Sequence, residues 1–155
     1  MVAPTRDPRN MQRVVELGAA IVPTLIEAVE EKFTADEWYN YNYMASEALG
    51  LIGKDAAPAV PALCKLLKES KDPGIRQEAA VALGRIGANP EETVPALTSA
   101  LDDGWAKVRT AAAEALLSFG KDAKPALKKL RELEDSEYAS VRQPVKAAIA
   151  ALSDQ

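Results

Sequence analysis

The chain has no histidine. Ser-His and Cys-His nucleophile arrangements are therefore excluded, as are the common metal sites that depend on imidazole. The single cysteine, Cys64, has no second thiol to pair with, which suits a reducing compartment. With no histidine nearby to activate it, Cys64 reads as a small packing residue rather than a nucleophile. Aromatic residues make up only 5% of the chain, so small aliphatic side chains must supply most of the packing. No apolar run approaches the roughly 18 residues of a membrane span, and the opening MVAPTRDPRNMQ lacks the apolar stretch of a secretory signal. The net charge of −4 disfavours nucleic acid and anionic membrane as partners. A cytoplasmic location is expected.

What the chain does contain is one phrase written several times. It reads ALGLIG from Ala48 to Gly53, ALGRIG from Ala82 to Gly87, and ALLSFG from Ala115 to Gly120. Leu49, Leu83 and Leu116 are 34 and 33 residues apart, and a further 33 reaches Ile149 in a fourth, Ala-rich copy. A fixed period in this range marks an array of supersecondary units. About 20 residues before each phrase stands a Pro-x-Leu start, at Pro23, Pro61, Pro95 and Pro125. Proline fits the first turn of a helix, where the backbone N–H makes no intrahelical bond. The unit is therefore a helical hairpin, with copies expected at about 20–53, 54–87, 88–120 and 121–152. A single helix over 7–18, opened by Asp7-Pro8 and closed at Gly18, precedes them as a half-repeat cap or the edge of a longer array.

The second helices have their own start signals. Thr34-x-x-Glu37 forms a capping-box pattern, with Phe33 and Trp38 as a hydrophobic staple, and opens a long helix from Ala35 to Ile52. Asp72-Pro73 and Asp102-Asp103-Gly104 open the next two. Ser140-x-x-Gln143 opens the fourth, with Pro144 at the end of its first turn; a start near Ser136 would instead put Pro144 in the interior and predict a kink. Ala79, Ala80, Ala82, Ala112, Ala113 and Ala115 are small enough for close helix approach, while Leu83, Ile86, Leu116 and Phe119 fill the layer between hairpins. Lys146 replaces the Ala80 and Ala113 type, as expected where the outer face of a last unit meets water, so the C-terminus reads as a natural stop.

The Pro-x-Leu starts, the pairs Ile75-Arg76, Val108-Arg109 and Val141-Arg142, and the ALGxIG phrase resemble the HEAT repeat family, specifically its short bacterial subclass of phycobilisome-lyase HEAT-like repeats. The resemblance covers about residues 20–152. It implies an all-α, right-handed α-solenoid (superhelix) of about four hairpins plus the N-terminal single helix, with second helices lining the concave, binding side. It also implies that Arg76, Arg109 and Arg142 bond to the turns between hairpins as structural residues. The first unit departs from the pattern, with Tyr41-Asn42 in place of the Ile/Val-Arg pair.

Carried onto this chain, the concave positions are Tyr43, Met44, Glu47 and Leu51, then Gln77, Glu78, Val81 and Arg85, then Thr110, Ala111, Glu114 and Ser118, then Gln143, Pro144, Ala147 and Ala151. Tyr39 joins the first group, four residues from Tyr43 on one helix face. Tyrosine gives rigid contact area with a polar tip and asparagine gives adaptable hydrogen bonds, so the run Trp38 to Met44 suits either partner recognition or packing on the first helix. Trp105 is expected to pack across a hairpin tip. The concave set has one arginine, Arg85, against Glu47, Glu78 and Glu114, which disfavours phosphate binding. No isolated carboxylate pair in an apolar setting offers acid-base chemistry. The expected role is non-catalytic binding of a protein partner, without cofactor or metal, by a monomer or by a module of a larger protein. The Tyr43, Met44 and Leu51 end is the leading contact. The alternative is a bilin lyase-like or chaperone-like subunit acting on a chromophore or its carrier protein.

Overall fold

Glycine sets the rhythm of the backbone. Gly53, Gly87 and Gly120 have φ of +73°, +57° and +49°, a left-handed conformation that strains any residue with a Cβ, so the glycine of each repeated phrase stops its helix. Gly18 has φ of +50°, and the first helix therefore ends as a second helix does. A computed structural model describes residues 8–30 and 35–153, with side chains over 12–30 and 41–153. The helices are α1 (Pro8–Leu17), α2 (Val22–Glu30), α3 (Ala35–Ile52), α4 (Val60–Glu69), α5 (Pro73–Ile86), α6 (Pro90–Ala100), α7 (Ala106–Leu117), α8 (Leu127–Glu132) and α9 (Ala139–Ser153). Short 3-10 segments cover Gly18–Ile21, Gly53–Ala59 and Gly120–Ala126. No strand occurs among the described residues.

Two layers result. In one, α3, α5, α7 and α9 lie each against the next, with α1 against α3; in the other, α2, α4 and α6 follow one another and pass into the third 3-10 segment and α8. Leu49, Leu83 and Leu116 are fully buried between the layers, while Ile149, the fourth in that series, is only partly buried. Contact along the second-helix layer is extensive and along the first-helix layer sparse. A stack spaced closely on one side and loosely on the other bends towards the close side, which makes the second-helix layer the inner one. The looser side opens a groove of about 740 Å³ between α4 and α6.

Several local expectations need correction. Helix α6 starts at Pro90 after Asn89, whose φ is +50°, so Pro95 lies inside the helix and not at its first turn. Thr93, fully buried, donates from Oγ1 to Ala88 O at 2.9 Å and pins this earlier start. Pro125 falls in a 3-10 segment and α8 begins only at Leu127. In α9 the carbonyl of Tyr138 accepts the first helical hydrogen bonds, from the N–H groups of Val141 and Arg142, so Ser140 is in the first turn rather than at the cap. Pro144 consequently sits inside α9. Its missing N–H leaves the Ser140 carbonyl without its helical donor. Thr110 Oγ1 of α7 approaches that carbonyl at 3.1 Å, besides lying 2.9 Å from Ala106 O. The Thr34 capping box and the Phe33 half of the staple lie outside the described residues, as does the side chain of Trp38.

Candidate protein-interaction surface

The arginine ladder fixes the turns from which the second helices spring. Arg76, Arg109 and Arg142 each donate from Nη1 to the carbonyl six residues earlier: Ser70 O at 2.8 Å, Asp103 O at 2.7 Å and Ser136 O at 2.6 Å. Arg76 reaches further, into the next turn, where Nε and Nη2 meet Asp103 Oδ2 and Oδ1 at 2.7 and 2.9 Å. That hydrogen bond, then the neighbouring charges, raise the Arg76 pKa against the opposing effect of burial. Burial alone would push the Asp103 carboxyl up. The bonds from Arg76 and from the Trp105 N–H, with the charges of Arg76 and Arg109, outweigh it and hold Asp103 below the usual carboxylate range. In α3 the arginine position is occupied by Asn42, and the residue six places earlier is already helical, so no turn carbonyl is there to accept. Asn42 is fully buried and neither of its amide atoms has a hydrogen-bond partner; Ser46 Oγ, one turn on, is in the same state.

Close approach of the second helices depends on glycine as well as alanine. A Cβ on Gly84 would lie 2.8 Å from both Cα and Cβ of Ala115, and one on Gly50 would lie 3.0 Å from Ala82 Cα. Residue 117, at the same register of α7, is a partly exposed leucine. Where Gly84 lets α5 meet α7, a shallow groove of about 300 Å³ forms, lined by Val81, Arg85, Ala111, Glu114 and Ser118 above a floor of Gly84 and Ala115. These residues come from two different repeats of the sequence pattern and share one surface.

The other expected contact residues fall in different places. Leu51, Arg85 and Ser118, at successive repeats of one register, are all exposed and form a row across α3, α5 and α7. Tyr43, Met44, Glu47 and Gln77 are half-buried, and the side chain of Tyr39 lies outside the described residues. Glu78 is buried at 7% exposure and leaves the accessible set. Thr110 is committed to the contact between α7 and α9. Trp105 does not pack across the hairpin tip; it is 60% exposed at the N-cap of α7. Tyr138, also exposed, escaped the sequence reading, although it stands 33 residues after Trp105.

Cys64 lines the groove between α4 and α6, and burial, reinforced by the charge of Glu92, pushes its thiol up to about 12. No group of three or more metal-type side chains occurs among the described residues, and none of the described helices is long and apolar enough to cross a membrane.

A stacked two-layer array of antiparallel hairpins, floored by small residues and edged by an arginine ladder, defines an all-α solenoid. The chain belongs to the HEAT repeat family: the HEAT repeats model matches residues 22–117. No curated protein matches the chain. Among solved structures it is similar to the complex of CpcE and CpcF of phycocyanin lyase from Nostoc sp. PCC7120, with 21% identity over 94% of this chain and 89% of that one and a TM-score of 0.78. Two engineered proteins are similar too. One has 24% identity over 96% of this chain and 69% of that one, TM-score 0.72; the other has 19% identity over 98% and 77%, TM-score 0.70.

Proposed function

We propose that the protein is a non-catalytic HEAT-repeat scaffold that holds a protein partner against its second-helix layer. The observation that carries this reading is the groove between α5 and α7, where exposed Arg85 and Glu114 flank a small-residue floor. A shallow groove with opposite charges on its rims suits a polypeptide segment better than a small molecule, which needs an enclosed pocket. Leu51, exposed at the same register as Arg85, extends the surface towards α3. A thiol pushed up to about 12 and a chain without histidine fit binding better than catalysis. The test places a photo-cross-linking side chain at Ser118, in the groove, or at Glu91, on α6, and exposes the full chain to extract from its source cells. A discrete adduct from Ser118 and none from Glu91 is expected. Equal adducts from both positions, or adducts from Glu91 alone, would remove the assignment.

A second reading is favoured by the likeness to the phycocyanin lyase complex: a subunit that acts on a chromophore or its carrier protein. Under this reading the absorbance of a bilin changes when the protein is added. Under the first reading it does not.

A further inference from the structure

The N-cap position of the second helices carries an unexpected series. At the start of α5 it is Asp72, whose Oδ1 accepts from the N–H groups of Gly74 at 2.7 Å and Ile75 at 3.1 Å. At the same register 33 residues on stands Trp105, which caps nothing with its side chain, and after another 33 stands Tyr138. A side chain that cannot cap costs a helix stability relative to Ser, Thr, Asp or Asn. Here that cost recurs in consecutive repeats and leaves two large rings in water, at 60% and 48% exposure.

The turn that carries them is ordered. The backbone N–H of Trp105 donates to Asp103 Oδ1 at 2.9 Å, and Asp103 is itself clamped by Arg76. The Arg109 guanidinium, fixed to Asp103 O, lies 5.3 Å from the centroid of the Tyr138 ring. Arg109 therefore joins the Trp105 turn to the Tyr138 turn and covers one side of the tyrosine by cation–π attraction. Rigid aromatic groups on an ordered turn lose little entropy when they bind.

We infer that this turn edge is a second docking surface, distinct from the α5–α7 groove, and that its occupant is a proline-rich segment in polyproline II conformation flanked by basic residues. Spacing argues for that conformation. The helices that the two rings precede, α7 and α9, pack side by side, and packed helix axes lie roughly 8–10 Å apart. Polyproline II rises about 3.1 Å per residue, so residues three apart lie about 9 Å from each other on one face. An extended segment running along the array thus sets successive prolines on Trp105 and Tyr138, the way aromatic-lined grooves receive such helices. Charge argues for the flanking residues. Glu134, Asp135 and Glu137 precede Tyr138 and have no ion pair among the described residues, where Arg142 gives its Nη1 to the Ser136 and Glu137 carbonyls. The neighbouring carboxylate of Asp102 is already paired with Lys129. A lysine or arginine at one end of the segment meets the unpaired acids.

The probe is a fluorescein-labelled heptaproline peptide ending in two arginines, titrated with the full chain and followed by anisotropy. Saturable binding is expected, weakened at least tenfold by Trp105→Ser and by Tyr138→Ala and unchanged by Arg85→Ala. Trp105→Ser supplies a capping hydroxyl and so removes the ring without costing the helix its stability, which circular dichroism verifies. A peptide with alanine in place of proline is expected to bind at least tenfold more weakly. Equal binding of the two peptides, full affinity in Trp105→Ser, or no binding at millimolar protein would each overturn the inference.

Discussion

Arg76 and Asp103 face each other through two parallel hydrogen bonds, at 2.7 and 2.9 Å, across the boundary between the second helix of one repeat and the turn of the next. Fork-to-fork geometry is the strong form of an ion pair. The two side chains are only 15% and 11% exposed, so solvent does little to replace the pairing once it is broken. Replacement of Arg76 by alanine is expected to cost about 2 kcal/mol, and replacement of Arg142, which donates only to carbonyls, about 1 kcal/mol. Urea titrations of the two variants should separate them in that order.

The same pair sets an acid response. The carboxyl of Asp103 is held below its ordinary value in the folded chain, so its contribution is complete above the unfolded pKa of about 4 and disappears as the pH falls through the lower folded value. The Arg76 guanidinium is raised further still by Asp103, stays charged throughout this range and adds no dependence. Between pH 5 and 2 the wild type should lose more stability than Asp103→Asn. Parallel losses in the two proteins would show that other carboxylates govern the acid limb.

Gly84→Ala pits two effects against each other. Alanine favours the helix by about 1 kcal/mol. The added methyl, however, would sit 2.8 Å from the Ala115 backbone, and overpacking against an atom that cannot swing away costs about 1–3 kcal/mol. Net destabilisation is expected, with reduced cross-linking from Ser118 as α5 and α7 are forced apart. Gly104→Ala, where a Cβ meets nothing within 4 Å, should stay within about 0.5 kcal/mol of wild type.

Cys64 should react sluggishly with thiol reagents. A thiol pushed up to about 12 carries on the order of a thousandfold less thiolate at pH 8 than free cysteine, and the greater nucleophilicity of a more basic thiolate offsets only part of this, so alkylation of the folded chain should run roughly a hundredfold slower. Unfolding in urea should restore the ordinary rate.

What was legible in the sequence was whatever backbone chemistry writes locally. Left-handed glycines at 53, 87 and 120 and the buried leucines 49, 83 and 116 announce helix ends and core at a fixed period. Pro95 and Pro125 mislead because here they stand away from a first α-helical turn, Pro95 inside α6 and Pro125 in a 3-10 segment, and only Asn89 and Thr93 reveal where α6 starts. Burial of Glu78 and the use of Thr110 against Ser140 depend on neighbours from other repeats, which no single-helix pattern contains. Trp105, in the turn after Asp102-Asp103-Gly104, reads as packing across a hairpin tip. Its position at an N-cap, repeated by Tyr138, carried the opposite message.

Asn42 and Ser46 give the array a direction. In a stack where each repeat touches only its neighbours, stability is a sum of local terms and junction terms, and the weakest junction opens first. The Arg76–Asp103 clamp binds α5 to the α7 turn, whereas at the equivalent place in α3 two buried polar side chains have no partner. Unzipping should therefore start at α1 and α3. In hydrogen exchange the amides of α3 would fall to deuterium well before those of α5 and α7, so the first repeat can let go of its neighbour while the rest stays folded.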